Sequence, residues 1–391
     1  MKKVDFNLKI ITPLFMGGAS KQPELRTQSF NGVIRYWFRL LGGTKELENK
    51  LFGTAGSTSQ KGMVKIQIEE NNFKPQKFEK YFNDKGYVIQ GNGINYIGFS
   101  LDQRFKNEKN ENKEQREFIV QDQDFKITFH FHPFLEEDEI KAFLSSFWCS
   151  LYLGNFGSRS RRGFGSIIST NNPNFNEILK DFKLKFVIDE DVGQWYKKQL
   201  EYIKTVYEWK PFENTPSVFH NLNIYIVDFS KNVKEWVDDV QKGRNGRYLI
   251  KEWKKGNKWQ ELDFMGFLLA AFRSYYKPDY DNVKGLLLGR KQNFKVERMI
   301  FGLPLNFYFS SIKKTKEFSS VRRPSPLIFK IVQFNNKNYG LFLTFIPNSS
   351  HQFNFLEENK IIDYNVEHPD FTALENFIKS LEKFKIIRKV L

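Results

Sequence analysis

The sequence predicts an α+β fold made of two ferredoxin-like domains with insertions. Three observations lead there. Amphipathic segments follow one another as strand, helix, strand, strand, helix, strand, the split βαβ order. The same order returns from Leu222 onward without repetition of the residues themselves. The chain has 391 residues, long for one domain and natural for two. The expected division is 1–170, carrying a glycine/arginine-rich loop, and 171–391, carrying helical insertions.

In the first half, Val4, Phe6, Leu8 and Ile10 alternate with polar residues and predict a strand over Val4–Ile11. Phe30, Val33, Ile34, Trp37, Phe38 and Leu41 fall on one stripe of a helix. Ser29 is its expected N-cap and Gly42-Gly43 its stop. Thr44–Phe52 reads as a short capped helix, and Met63–Ile68 and Tyr96–Leu101 as strands. Lys106–Glu117 is charged and of low complexity, a mobile hairpin tip or a disordered loop by composition. Phe125, Ile127, Phe129 and Phe131 alternate with Lys126, Thr128, His130 and His132, as in a half-buried strand. Glu136, Glu137, Asp138 and Glu139 suit the positive end of the next helix, whose buried stripe runs from Ile140 to Leu151. Phe164–Ser169 closes the unit as a strand.

Beyond Asn171–Asn176, Phe182–Ile188 reads as an added strand and Val192–Tyr207 as a helix. Leu222–Phe229 is a strand apolar on both faces. Residues 231–260 hold a helix and a basic segment, and Leu262–Tyr276 is a helix. Pro326–Phe334 and Tyr339–Ile346 form a hairpin through Asn335–Asn338. Phe371–Phe384 is a helix and Lys385–Leu391 a closing strand.

Charge is the strongest global signal. Lys and Arg number 61 against 45 Asp and Glu, a net charge of +16, which favours a polyanionic partner. No apolar run reaches the ~18 residues of a membrane span, and the N-terminus lacks the pattern of a secretory signal. The single cysteine, Cys149, lies on an apolar helix face and reads as a buried hydrophobe. A soluble, cytoplasmic protein is expected.

The stretch Gly154–Ile168, GNFGSRSRRGFGSII, interleaves Gly154, Gly157, Gly163 and Gly165 with Arg159, Arg161 and Arg162. Glycine lets a backbone approach a partner closely, and arginine offers a planar charged fork that matches phosphate. Phe156 and Phe164 flank the arginines as candidates for base stacking. Arg35 and Arg39, four residues apart, share a helix face away from the apolar stripe. Each taken singly reads as a solvated position. Trp37 belongs to the core stripe, whereas Tyr36 lies off it and is the better exposed aromatic.

LRTQSFNGVIRYWFRLLGG (25–43), LFG (51–53), GNFGSRSRRGFGSI (154–167) and VRRPSPLIFKI (321–331) together resemble RAMP proteins of CRISPR systems, more narrowly the first RAMP subunit of the type III-B Cmr effector complex. The resemblance implies two ferredoxin-like domains that bind RNA, and membership of a complex in which a CRISPR RNA guides cleavage of target RNA by other subunits. It places this subunit at the 3′ part of the guide. It also implies RNA contacts at Arg35, Arg39, Gly157, Arg159, Arg161, Arg162 and Gly163, with Arg322 and Arg323 next. The implied partners are guide RNA, target RNA and the other RAMP subunits. No cofactor, metal or membrane is implied.

A catalytic site does not assemble from the residues. His130 and His132 sit at i, i+2 without a Cys/His/Asp cluster at ligand spacing. Asp238-Asp239 diverge on a helix. The glycine loop precedes a strand, whereas a P-loop precedes a helix. The alternative is a metal-independent RNA endonuclease of the guide-processing RAMP type, with His130 or His351 as general base.

Overall fold

The computed structural model describes residues 2–18, 22–56, 59–69, 73, 75–77, 93–98, 101, 116–207, 222–244, 253, 259–274, 276–290, 294–302, 305–309, 311–318, 325–345, 366–367 and 371–391. Arg322, Arg323, His220, His351, His368, residues 106–115 of the charged stretch, and residues 245–252 and 254–258 of the basic segment lie outside these residues.

Strand β1 (Lys2–Ile10) buries Val4, Phe6, Leu8 and Ile10 on one face. Helix α1 (Thr27–Leu40) buries Phe30, Ile34, Trp37 and Phe38. It starts one turn earlier than expected: Arg26 is its N-cap, and Ser29 already donates its backbone N–H to the Arg26 carbonyl from inside the helix. Helix α2 (Lys45–Phe52) is capped by the Thr44 side chain, which accepts from Leu47 N at 3.3 Å. Strand β2 (Val64–Glu69) follows. The start of the expected Tyr96–Leu101 strand belongs instead to a short helix, α3 (Gly93–Ile97), with Gly93 seated against a helix of the second half. Strand β3 (Asp124–Phe131) runs beside β1 in register from Lys2↔Phe131 to Lys9↔Asp124. Helix α4 (Glu137–Tyr152) begins in a capping box between Glu136 and Glu139, and β4 (Ile167–Ser169) completes the sheet.

All pairings in this sheet are antiparallel and its order is β2-β3-β1-β4. Helices α1 and α4 pack together. The core is built of phenylalanine: Phe6 meets Phe147 at 4.9 Å and Phe186 at 4.7 Å, and Phe129 meets Phe147 at 4.7 Å. Each such ring, fully buried, contributes about 1.5–3 kcal/mol. Phe182–Ile188 is not a strand. Its backbone donors go to side chains, Phe186 N to Asn172 Oδ1 at 2.6 Å and Lys185 N to Gln199 Oε1 at 2.8 Å. Helix α5 (Val192–Val206) then packs Trp195 against Trp148.

The second sheet comprises β5 (Leu222–Val227), β6 (Leu327–Phe334), β7 (Lys337–Phe345) and β8 (Ile387–Lys389). It is antiparallel, with order β6-β7-β5-β8, so both sheets share one arrangement by chain position. The β6–β7 turn is tighter than expected: Asn335 and Asn336 both take positive φ, 48° and 56°, where asparagine is better tolerated than most residues. Helices α6 (Lys234–Val240), α7 (Gln260–Arg273) and α9 (Thr372–Lys383) accompany this sheet, while α8 (Lys277–Leu287) packs with a 3₁₀ turn over Glu297–Phe301 around a small separate core of Val283, Val296, Met299 and Phe309. One continuous apolar core runs through both halves, and Cys149 is buried in it.

Candidate nucleic-acid interface

The glycine/arginine loop leaves α4 and returns as β4, so its ends are fixed by the first sheet. Its middle is fixed by the second. Edge strand β6 has backbone groups to satisfy, and the loop satisfies them. Phe329 N donates to Arg161 O at 3.1 Å, Asn155 Nδ2 donates to Phe329 O at 2.8 Å, and Ile331 N donates to Ser166 Oγ at 3.2 Å. Within the loop, Ser166 Oγ donates to Asn155 Oδ1 at 2.6 Å, and Thr12 Oγ1 donates to Gly163 O at 2.6 Å. The glycines serve this tight packing. Gly165 has φ +72°, and a Cβ there would collide with the Phe156 carbonyl; Gly163, at φ +84°, has no room beside Leu262. Gly157, at φ +77°, is exposed on the loop surface with its backbone against the Phe15 carbonyl.

The arginines take separate positions. Arg161 reaches from the loop across both halves: Nη1 donates to Ser325 O at 2.6 Å and Nη2 to the Tyr36 hydroxyl at 2.7 Å, with the guanidinium 5.8 Å from the Tyr36 ring centre. Tyr36 is 40% exposed, as its place off the apolar stripe predicts. Arg159 is exposed at φ 58°. Arg162 points inward, donating from Nη2 to Phe301 O at 2.5 Å and lying 5.8 Å from the Phe329 ring centre. Burial, with the neighbouring Arg273 charge, pushes its guanidinium down to about 9, which leaves it protonated at neutral pH.

Arg35 and Arg39 converge on one carboxylate. Arg35 Nε donates to Glu48 Oε1 at 2.5 Å, and Arg39 donates from Nε and Nη2 to both oxygens at 2.9 and 2.6 Å. Glu48 is buried on α2. Burial alone raises a carboxyl, but the bonds from Arg39 and Arg35 outweigh it and hold Glu48 at about 2. These two side chains therefore bind α1 to α2, and Arg39 still keeps 53% of its side chain exposed.

Phe156 and Phe164 are fully buried, which corrects the expectation that they stack on bases. Their rings fill the core beneath the loop, Phe156 4.6 Å from Phe30 and Phe164 5.7 Å from Phe15. The residues that support this surface from beneath are the buried Asn155, Ser325 and Ile328. With Tyr36, Trp37, Arg161 and the α1 residues Gly32 and Val33, Asn155 and Ile328 line a cleft of about 230 Å³ where the halves meet. In the sequence, Asn155 stands out only as a polar residue wedged between an apolar helix and a glycine loop.

The open face of the first sheet carries Lys3, Asp5, Asn7 and Lys9 on β1, and Lys126, Thr128 and His130 on β3. It lacks the aromatic pair on which RRM-type sheets stack bases. His130 Nε2 lies 3.1 Å from Gln67 Oε1, and His132 Nδ1 accepts from Phe134 N. Among the described residues no three His, Cys, Asp or Glu side chains group as metal ligands, and no helix is long and apolar enough to cross a membrane.

A family model of the RAMP superfamily matches residues 7–168, which hold the first sheet and the loop. The CRISPR system Cmr subunit Cmr1-2 of Pyrococcus furiosus is 32% identical over 183 residues, 43% of this chain and 95% of that protein. This chain belongs to the RAMP superfamily. A second relative, the Cmr subunit Cmr1-1 of the same organism, is 27% identical over 364 residues, 88% of this RAMP chain and 86% of its own length. In fold, the RAMP chain is similar to the crystal structure of apo Cmr1 from Pyrococcus furiosus, with a TM-score of 0.59, 21% identity, and coverage of 100% of this chain and 99% of that one.

Proposed function

We propose that this RAMP protein is an RNA-binding subunit of a type III-B Cmr effector complex. It holds the 3′ part of the guide RNA, or the duplex that part forms with target RNA, beside other RAMP subunits in the cytoplasm, and it leaves cleavage to them. The observation that carries the reading is the cleft where the halves meet: Arg161 and Tyr36 reach its surface together, and the similarity to Cmr1-1 extends through both halves that build it. In this reading Arg161 clamps a phosphate and Tyr36 offers a stacking face, with Arg159 and the exposed part of Arg39 flanking them. Gly157 and Gly163 shape the loop. Arg35 and Arg162 hold the surface in place, and Arg322 and Arg323 join from the second half. Binding of this kind is largely independent of base sequence.

Two ferredoxin-like units account for the architecture, supported by the shared strand order of the two sheets. Residues 171–207 build onto the first unit through Trp195, Phe186 and Lys185, which favours a division after 207.

Photocrosslinking tests the function. Guide RNA with 4-thiouridine at single positions, assembled with this chain and the remaining Cmr subunits, should crosslink to the α1 segment carrying Tyr36 only from its 3′ part. Crosslinks from the 5′ part alone, or cleavage of precursor RNA by the isolated chain that His130→Ala abolishes, would refute the reading.

A further inference from the structure

Arginines from both halves meet outside the cleft. Arg162 and Arg273 lie together around Phe301: Arg162 binds the Phe301 carbonyl, and the Arg273 guanidinium is 5.5 Å from the Phe301 ring centre and 5.7 Å from that of Tyr96. Arg298 stands next to them, donating from Nη1 to the Arg273 carbonyl at 2.8 Å. Arg298 has its own counter-charge, the buried Asp279, at 3.2 Å. The other nearby carboxylate, Glu297, receives the Tyr276 hydroxyl at 2.8 Å, and Arg244 is held by the carbonyls of Phe272 and Ser274 at 2.8 Å each. Among the described residues, then, Arg162 and Arg273 share no carboxylate.

Two of their nitrogens are also left over. Nη1 of Arg162 and Nε of Arg273 are closed off from solvent and, among the described residues, find no acceptor. Buried donors are almost always satisfied, and an orphan on a charged group costs more than one on a neutral group. Two guanidinium groups on different elements, one on the glycine/arginine loop and one at the end of α7, therefore bring two positive charges and two unused N–H groups to the surroundings of Phe301. The acceptor that suits both is a compact multivalent oxyanion, since guanidinium forks match the oxygens of phosphate.

We propose that Arg162 and Arg273, beneath Tyr96, form an oxyanion site that takes one phosphate group. That group is either free inorganic phosphate or one phosphate of a bound RNA. The site deepens the RNA reading in the second case and stands without it in the first.

The test uses the full chain at pH 7, comparing inorganic phosphate with chloride at matched ionic strength, and wild type with Arg273→Gln. Arg273 is the residue to change because, among the described residues, its side chain holds no backbone carbonyl. Arg162→Gln removes the tie to Phe301 and serves only as a second variant. For a free oxyanion, phosphate raises the melting temperature of the wild type saturably beyond chloride, Arg273→Gln abolishes the rise, and phosphate leaves RNA affinity unchanged. For an RNA phosphate, Arg273→Gln lowers the log–log salt slope of single-stranded RNA binding by about 0.7, and added phosphate competes with RNA. The proposal is overturned if phosphate does no more than chloride and Arg273→Gln leaves the slope unchanged. RNA binding that persists in that outcome leaves the cleft reading intact.

Discussion

Replacing Glu48 by Gln keeps the shape of the side chain and removes the charge that Arg35 and Arg39 share. The carboxyl sits at about 2 in the folded chain against an ordinary 4.5. A difference of that size corresponds to about 3 kcal/mol of charge-dependent stability. Arg39 has 53% of its side chain in solvent, so screening trims the expected loss to about 1–3 kcal/mol. The sign follows from a folded pKa below the unfolded one: the contribution is complete above pH 4.5 and disappears as pH falls from 4.5 through about 2. Urea unfolding followed by tryptophan fluorescence measures it. Wild type and Glu48→Gln should differ by about 1–3 kcal/mol at pH 7, and by less than half of that near pH 3. A difference under about 0.5 kcal/mol at pH 7, or one that does not shrink on acidification, would refute the argument that this carboxylate is what joins α1 to α2.

Arg161→Ala should weaken single-stranded RNA binding alike for all sequences and lower the salt slope by about 0.7 for each phosphate that Arg161 neutralises; because it also takes the donor from Ser325 O, binding is compared at a temperature where both proteins are folded, and an unaltered slope removes Arg161 from the RNA-binding surface. Arg162→Ala, by contrast, should destabilise the fold by about 1–3 kcal/mol, because Phe301 O loses its charged donor; equilibrium unfolding reads this directly. Lys330 is fully buried, its Nζ donating to Ile167 O at 3.3 Å, and burial pushes it well below its ordinary 10.5. Its unfolded form holds more protons than its folded form, so wild-type stability should climb as pH rises toward 10.5, while Lys330→Met should gain about 1–2 kcal/mol at pH 7 and lose that climb. Gly165→Ala should cost more than about 2 kcal/mol, since it meets both a positive φ and the Phe156 carbonyl; a wild-type unfolding midpoint would contradict the close packing under the loop.

Strands β1 and β3 are readable in the sequence because residues two apart set which face is buried, β5 because it is a short unbroken apolar run, and the helix stripes of α1 and α4 because their apolar residues recur at a helical period. Tyr96–Leu101 misleads because its start belongs to α3, whose Gly93 is seated on Gly266, an approach with no local signature. Phe182–Ile188 misleads because its apolar residues are buried singly while Asn172 and Gln199 take the backbone bonds a neighbouring strand would have taken. For the site, glycine and arginine content locates the loop, and the exposure of Tyr36 follows from its helix position. The destinations of the arginines do not follow. Arg35 and Arg39 end on a glutamate of the next helix, and Arg162 ends on a carbonyl 139 residues away. Composition records that a charge exists, whereas its partner is decided by tertiary packing. Phe156 and Phe164 illustrate the same point, since a ring beside an arginine in sequence is here under it in space.

The bonds between the loop and β6 have a consequence for biosynthesis. Translation delivers Arg159, Arg161 and Arg162 to the ribosome exit long before Ser325, Phe329 and Ile331, the groups that orient the loop. A nascent chain thus carries these cations without their aim, and a truncated product ending ahead of β6 keeps every one of them yet lacks the wall that turns them into a selective surface.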